Sequence, residues 1–177
     1  MAGAMSTLHR RLRLNELGRS RQPVSLEADT DDRRDVAKEL GLVSLISLQA
    51  ELTVGPWLDG AEVTGRFEAE VTQECGVTLD PFDSPVSGDI QVRLVPAGSP
   101  HAPAESGEIE LDPEAEDPPD VLSGSEIDLG DIVIEQLALS LDPFPRKPGA
   151  EFEPPPADPV ESPFAVLKSL KSKHEGS

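Results

Sequence analysis

The amino-acid sequence predicts an α+β fold, in which an antiparallel β-sheet meander of three to five strands is covered by one main helix. Two observations carry this prediction. Three segments alternate apolar and polar residues with a period of two, and a later segment has apolar residues at helical spacing. A period of two is typical of strands with one buried and one solvated face, whereas the spacing i, i+3, i+4, i+7 places side chains on one helix face.

The period-two segments lie within residues 47–54, 61–72 and 86–94, and turn-rich stretches connect them. Short connections of this kind join neighbouring strands as antiparallel hairpins, so the three segments form a meander. The apolar residues just before the first segment fall on the opposite parity. This change of parity predicts a β-bulge near Leu45–Ile46.

A short strand and a short helix precede the meander. Pro23–Leu26 has strand-like composition, and residues 29–40 read as a helix. Asp29 or Thr30 can cap its first turn, because a side-chain oxygen at that place accepts from the free backbone N–H groups. Gly41 follows where a left-handed C-terminal cap favours glycine.

The main helix is predicted over residues 128–141. Asp128 is a suitable N-cap, Asp131 stands three residues later in the capping-box position, and Pro143 stops the helix. Its stripe is the most apolar in the chain, so it covers the buried face of the sheet. The stripe consists of Leu129, Ile132, Val133, Ile134, Leu137, Ala138 and Leu141.

The composition divides the chain into four parts. Residues 1–22 form a basic N-terminal arm, and residues 23–142 form a single α+β domain. Residues 143–161 are a Pro-rich linker, and residues 162–177 are a short basic C-terminal helix or tail. The apolar fraction of 37% and the 18 prolines indicate mobile termini around a compact core.

An acidic segment at 97–126 interrupts the domain. It contains no Lys or Arg and is rich in acids and prolines, so we expect a disordered acidic loop, in which a short strand at Glu108–Leu111 stays possible. The net charge of −19 has two readings that the sequence leaves open. It serves solubility alone, or it attracts a basic partner.

No catalytic constellation emerges from the sequence. His9, His101 and His174 all fall in segments predicted as arms or loops, where a general base lacks a fixed orientation. Cys75 is the single cysteine, which excludes an intrachain disulfide and leaves too few ligands for a zinc site. No Gly-rich phosphate loop is present. We therefore expect no enzyme activity, no metal and no cofactor, with an enzyme of unrecognised type as the alternative.

The candidate binding residues lie near the two ends of the chain. The arginines of the arm either contact phosphates or fold back on the protein's own acids. The C-terminal helix is either a docking element with apolar and basic sides or a frayed tail. These residues are Arg10, Arg11, Arg13, Arg19 and Arg21 in the arm, and Phe164, Leu167, Lys168 and Lys171 in the helix.

Four stretches carry a family resemblance. They are Val-Thr-Gln-Glu-Cys-Gly-Val-Thr-Leu-Asp-Pro-Phe at 71–82, Ile-Asp-Leu-Gly-Asp-Ile-Val-Ile-Glu-Gln-Leu at 127–137, Leu-Ser-Leu-Asp-Pro-Phe-Pro-Arg-Lys-Pro-Gly-Ala at 139–150, and Ser-Pro-Phe-Ala-Val-Leu at 162–167. In this order they resemble the YceD family, the large ribosomal RNA subunit accumulation proteins, over about residues 20–171. The helix with the following Asp-Pro-Phe-Pro-Arg segment is the most specific part.

The resemblance implies a function as well as a fold. Members of this bacterial and plastid family are not known as enzymes, and they support synthesis, processing or stability of large-subunit ribosomal RNA. The implied partner is a large-subunit ribosomal protein or ribosomal RNA. The family-motif positions here are Cys75, Asp128, Leu129, Gly130, Glu135, Pro143 and Pro145, and Asp142, Phe144 and Arg146 join the candidate partner-binding residues.

One position departs from the family pattern. Many members carry Cys-x-x-Cys-Leu at the strand end, and here Cys75 matches the first cysteine whereas Thr78 stands at the second. A metal or disulfide role of that pair therefore cannot be carried over.

Location and assembly complete the expectations. No apolar run is long enough to span a membrane, and the first residues resemble an organellar transit peptide only faintly, so we expect a cytoplasmic monomer. An acidic adaptor unrelated to RNA is the alternative function.

Overall fold

The fold consists of two β-sheets and two α-helices within residues 8–103 and 117–152, which this computed structural model describes. A 3-10 turn at Leu14–Glu16 follows the first strand. The strands are β1 Arg11–Arg13, β2 Gln22–Glu27, β3 Ser44–Trp57, β4 Gly60–Glu74, β5 Pro81–Pro96, β6 Asp120–Leu122 and β7 Glu126–Asp128, and the helices are α1 Thr30–Glu39 and α2 Leu129–Ser140.

The main sheet confirms the predicted meander. Its strands hydrogen-bond in the order β2-β3-β4-β5-β6, and the pairs β2–β3, β3–β4 and β4–β5 are antiparallel. The register shifts between Leu45 and Ser47, which confirms the predicted bulge. The connection expected at 55–60 is shorter, because β3 continues to Trp57 and β4 begins at Gly60.

β5 begins earlier than the alternation predicts. It starts at Pro81, where a turn-rich connection was expected to reach Pro85. Both prolines lie in the ladder with β4, opposite Glu74 and Glu70. Proline lacks a backbone N–H, so it fits a strand where its nitrogen points away from the paired neighbour. Tertiary pairing thus overrides the local turn composition.

Both helices pack on one face of the main sheet. α1 starts at a capping box between Asp29 and Asp32, and Gly41 has a φ of 67°, as predicted. α2 has Asp128 as its N-cap, but the side chain accepts from the Gly130 N–H, so the predicted capping box with Asp131 is wrong. The buried α2 residues are Leu129, Gly130, Ile132, Val133, Ile134 and Leu137, so α2 is the main covering helix.

The predicted N-terminal arm differs from the structure over residues 8–22. β1 pairs antiparallel with β7, and Leu8 is fully buried beside the start of α2. The prediction placed these arginines in a basic arm outside the domain, whereas Arg-Leu-Arg at 11–13 alternates in step with Glu-Ile-Asp at 126–128. Opposite charges across an antiparallel pair stabilise it, so this part of the arm belongs to the domain.

The predicted acidic loop also differs from the structure in its second half. β6 and β7 both begin within 97–126, and β6 pairs parallel with the end of β5. Residues 104–116, with the possible strand at Glu108–Leu111, lie outside the described residues. The same holds for the linker beyond Phe152 and for the C-terminal helix at 162–177. Within the described ranges, no helix has the length and hydropathy needed to cross a membrane.

Candidate functional site

The face of the main sheet opposite the helices is polar and acidic. Along each strand the buried apolar residues alternate with exposed ones, so every second side chain points to this outer face. We call its acids the acidic face. They are Glu27 on β2, Glu51 on β3, Glu68, Glu70 and Glu74 on β4, and Asp83 and Asp89 on β5, all exposed.

The register brings these carboxylates close together across the sheet. Glu68 lies between Gln49 on β3 and Ser87 on β5, and Gln49 donates a hydrogen bond to Glu68 at 3.3 Å. Arg66 is the basic side chain amid the acids, and its Nε lies 3.6 Å from Asp89 Oδ1. Neighbouring strands lie about 4.8 Å apart, so one binding partner can contact side chains of several strands on the same face. The acidic face therefore presents several negative charges to that partner.

A buried carboxylate anchors the end of the outer face near the β3–β4 turn. Glu62 is 8% exposed, and its oxygens accept from Arg21 Nη2 at 2.5 Å and from Arg93 Nε at 3.2 Å. The Arg93 guanidinium also lies 5.2 Å from the centre of the Trp57 ring. Charge-assisted hydrogen bonds to two arginines satisfy this acid, so its role is structural.

Cys75 joins two segments that are far apart in sequence. The Gly76 N–H donates to Pro145 O at 2.9 Å, and the Lys147 N–H donates to Cys75 Sγ at 3.4 Å. The Val77 N–H donates to the same sulfur at 3.4 Å, and Cys75 is fully buried. The turn after β4 and the Pro-rich segment after α2 therefore form one structural unit around this thiol.

These donors favour the thiolate form of Cys75. The hydrogen bond from the Thr78 side chain is the largest cause, followed by the backbone N–H groups of Lys147 and Thr78, and together they lower the pKa of Cys75 to about 6. Burial opposes them, because it disfavours the charged form. Thr78 thus supplies a hydrogen bond to the sulfur from the position that the sequence analysis compared with a second cysteine.

The Cys75 thiol gives the protein a pH-dependent stability. Its folded pKa lies below its ordinary value of 9.0, so the unfolded chain holds the proton at pH values where the folded chain has lost it. The free energy of unfolding therefore rises between about pH 6 and pH 9, and this contribution is lost as the pH falls through about 6. Titration of the thiolate by ultraviolet absorbance, in the folded and the urea-unfolded chain, measures both pKa values.

Two variants control this prediction. Cys75→Ser removes this contribution to the pH dependence, and Thr78→Val returns the pKa of Cys75 towards its usual value because the hydroxyl donor is lost. A folded thiol that titrates near its ordinary value of 9.0 in the unsubstituted protein contradicts the arrangement.

A groove runs beside this junction, with a volume of about 560 Å³. One wall is the start of β5 and the other is the segment that follows α2. Asp142 and Arg146 place one acid and one base in it, and Phe82, Val86 and Pro145 add apolar surface. Gln73 donates to the Asp142 carbonyl at 3.3 Å and ties the two walls together.

The arm arginines mostly face the protein's own acids. Arg11 contacts Asp128 at 3.2 Å, Arg13 contacts Glu126 at 2.9 Å, and Arg21 contacts Glu62. Arg10 and Arg19 are exposed and form no ion pair with the described residues. Of the two alternatives for the arm, folding back on the protein's own acids is the one that the structure shows for these three arginines.

The other predicted residues occupy varied environments. Asp142 accepts from the Phe144 N–H at 2.8 Å and so orders the turn, while the Phe144 ring is 78% exposed. Glu135 and Pro143 are exposed, and Leu129 and Gly130 are buried. The candidate residues Phe164, Leu167, Lys168 and Lys171 lie outside the described part of the chain.

Three potential metal ligands converge at the start of α2. Ligand atoms of His9, Asp128 and Asp131 lie within 4.8 Å of one another. Both Asp128 oxygens already have partners, because Oδ1 accepts from the Gly130 N–H and Oδ2 accepts from Arg11. The geometry is that of a helix cap with an adjacent histidine, and Arg11 opposes the approach of a cation.

Two features were not predicted, and the sequence contained a signal for the first of them only. Arg-Leu-Arg and Glu-Ile-Asp are complementary period-two triplets, which in combination indicate the β1–β7 pair. Glu62 falls on the polar parity of β4, and no local pattern distinguishes it from exposed neighbours. Its burial depends on Arg21 and Arg93, which only the tertiary structure brings to it.

The comparison with family models decides the relationship. The model described as "Large ribosomal RNA subunit accumulation protein YceD" matches residues 63–171, more than half of the chain. The chain belongs to the YceD family. No curated protein and no solved structure matches it.

YceD membership confirms the resemblance and sets the biological role, which is accumulation of large-subunit ribosomal RNA. The matched range begins in β4 and includes the Cys75 junction, α2 and the segment after it. The motif residues with a clear structural role in this YceD protein are the buried Cys75, the cap Asp128 and the carbonyl of Pro145. At Gly130 a Cβ would lie 2.6 Å from Leu8 O, so glycine permits the N-terminal segment to approach α2.

Proposed function

We propose that this YceD protein supports accumulation of large-subunit ribosomal RNA as a non-enzymatic factor that binds a basic ribosomal protein through the acidic face. The observation that carries the proposal is the one-sided charge of the sheet. The acidic face is exposed and rigidly backed, because its strands belong to the main sheet and the core lies directly beneath them.

Electrostatics favours a basic protein over RNA as the direct partner. With a net charge of −19, the chain attracts basic surfaces and repels phosphates at long range. Ion pairs with the protein's own acids already engage Arg11, Arg13 and Arg21. In this proposal the YceD protein holds a basic ribosomal protein and prevents wrong contacts until that protein reaches its RNA site. The accumulation of ribosomal RNA is then supported without direct RNA binding.

The proposal includes no catalytic step and a cytoplasmic location, where bacterial ribosomes assemble. An arrangement that binds through charge needs exposed and closely spaced carboxylates, and the acidic face supplies them.

Charge reversal on the acidic face tests the proposal. In the double variant Glu68→Lys with Glu70→Lys, we expect at least a tenfold loss of affinity for basic proteins extracted from purified large ribosomal subunits, because several favourable charge pairs become repulsive. Surface immobilisation of the full chain and titration with each fractionated protein measures the affinity. The unsubstituted protein is expected to lose affinity as the salt concentration rises.

The matched control is Glu39→Lys with Glu135→Lys. Both residues are exposed on the helix layer, and this variant changes the net charge by the same amount. We expect its affinity to stay within about twofold of the unsubstituted protein, since the effect of distant exposed charges is screened. Equal losses in both variants contradict a specific face, and binding of large-subunit RNA without any protein contradicts the proposed partner.

A further inference from the structure

We propose that β5 accepts an extended segment of a basic protein as an additional strand, so that binding extends the main sheet. This inference rests on the proposed function and specifies how the partner is held. Among the described residues, β6 pairs with β5 only at 94–96, and no described strand lies beside the edge of β5 from Pro81 to Val92. Such an edge presents a row of backbone donors and acceptors to an incoming chain.

The direction of these backbone groups follows from the prolines. Pro81 and Pro85 lie in the ladder with β4, so their nitrogens point to the open side. Backbone N–H and C=O groups alternate in direction along a strand. Ser87 and Asp89 share the parity of Pro85, and their peptide groups therefore point outward. In the first half of the edge, the prolines have no N–H group to donate, whereas residues 86–90 contain no proline.

The two sides of this edge differ in chemistry. Asp83 and Asp89 belong to the acidic face on one side, and the groove with Phe82, Val86 and Pro145 lies along the beginning of β5 on the other. Side chains of an added strand alternate between these sides. The fitting segment therefore has basic residues at every second position and apolar residues between them.

Charge selects this occupant over a second copy of the chain. A net charge of −19 on each copy opposes edge-to-edge pairing, and Asp89 of both copies would lie near the new contact. The same charge favours pairing with a basic extended segment, because the acids beside the edge attract every second side chain of that segment.

Amide hydrogen exchange on the full, isotopically labelled chain tests strand addition. The probe is an alternating Lys–Val peptide. Two control peptides have the same sequence with every second backbone nitrogen methylated, one at the Lys residues and the other at the Val residues. We expect the Ser87 and Asp89 amides to exchange rapidly in the free chain and to slow by at least tenfold with the probe. The methylated peptides that lose the donors facing β5 are expected to bind about tenfold more weakly, because charge is kept while hydrogen bonds are removed.

A protein variant gives a second test. Ser87→Pro removes one outward N–H, as Pro85 already does, and is expected to weaken the probe about fivefold, whereas Ser87→Ala leaves affinity unchanged. Should Ser87→Pro fail to fold, the exchange measurement on the unsubstituted chain decides.

The outcomes separate this inference from the proposed function. Equal binding of methylated and unmethylated peptides without amide protection overturns strand addition and leaves binding by the acidic face intact. Absence of peptide binding overturns it as well, while the charge-reversal experiment with ribosomal proteins remains an independent measurement. Slow exchange of both amides in the free chain, or self-association at this edge, shows that another segment or copy occupies it and equally overturns the inference.

Discussion

Phe67→Ala is expected to lower the free energy of unfolding by about 3–5 kcal/mol, a large part of the roughly 5–15 kcal/mol typical of a native domain. Phe67 is 1% exposed at the centre of the main sheet, and it faces Gly88 across the β4–β5 pair. A Cβ on Gly88 would lie 2.8 Å from the Phe67 ring, so the ring fills the space that glycine leaves. Truncation leaves a cavity that the rigid strands on either side cannot close.

Equilibrium unfolding in urea measures the effect of Phe67→Ala. Phe144→Ala is the matched control, because the same atoms are removed from a ring that is 78% exposed, and its effect is expected within about 0.5 kcal/mol. A loss below about 1.5 kcal/mol for Phe67→Ala contradicts the packing of the core described above.

Leu8→Ala is expected to release the N-terminal segment without unfolding the main sheet. Leu8 is fully buried, and its carbonyl accepts from the Arg10 N–H at 2.9 Å, immediately before β1. Loss of a buried leucine costs about 2–5 kcal/mol. Here that cost falls on local opening, because β7 is the one described strand that pairs with β1. Trypsin cleavage after Arg10, Arg11 and Arg13 is expected to accelerate at least about thirtyfold, which corresponds to ~2 kcal/mol.

The control for Leu8→Ala is Leu139→Ala, the same truncation at a side chain that is 73% exposed on α2. Its cleavage rate is expected to match that of the unsubstituted protein. An unchanged rate in Leu8→Ala means that the N-terminal segment does not depend on this anchor. A parallel fall in the urea midpoint of the main sheet means that segment and sheet unfold together.

The proposed function also depends on both levels of structure. The net charge of −19 left solubility alone and attraction of a basic partner open, and the sequence drew attention to the acids of the loop at 97–126. The register of β3, β4 and β5 instead gathers Glu51, Glu68 and Asp89 on one exposed face. The net charge follows from the sequence by counting residues, whereas the position of each charge on the surface depends on which strands are neighbours.

The sequence by itself determined the meander, the bulge, both helices and the family motifs, because period, capping and turn chemistry act over a few residues. Leu48 to Val54 alternate without interruption, and Gly41 ends α1 as its position requires. The family assignment likewise depended on local stretches around Cys75 and α2, which the family match confirms.

Only the tertiary structure decided the contacts between distant segments. The Lys147 amide donates to the Cys75 sulfur, Arg21 contacts Glu62, β1 pairs with β7, and β6 pairs with the end of β5. Each of these pairs is separated by many residues, so no local period encodes it. The physical reason is that burial of the shared core fixes these partners, while in the described part of the chain the acidic face stays exposed and no strand pairs with β5 from Pro81 to Val92.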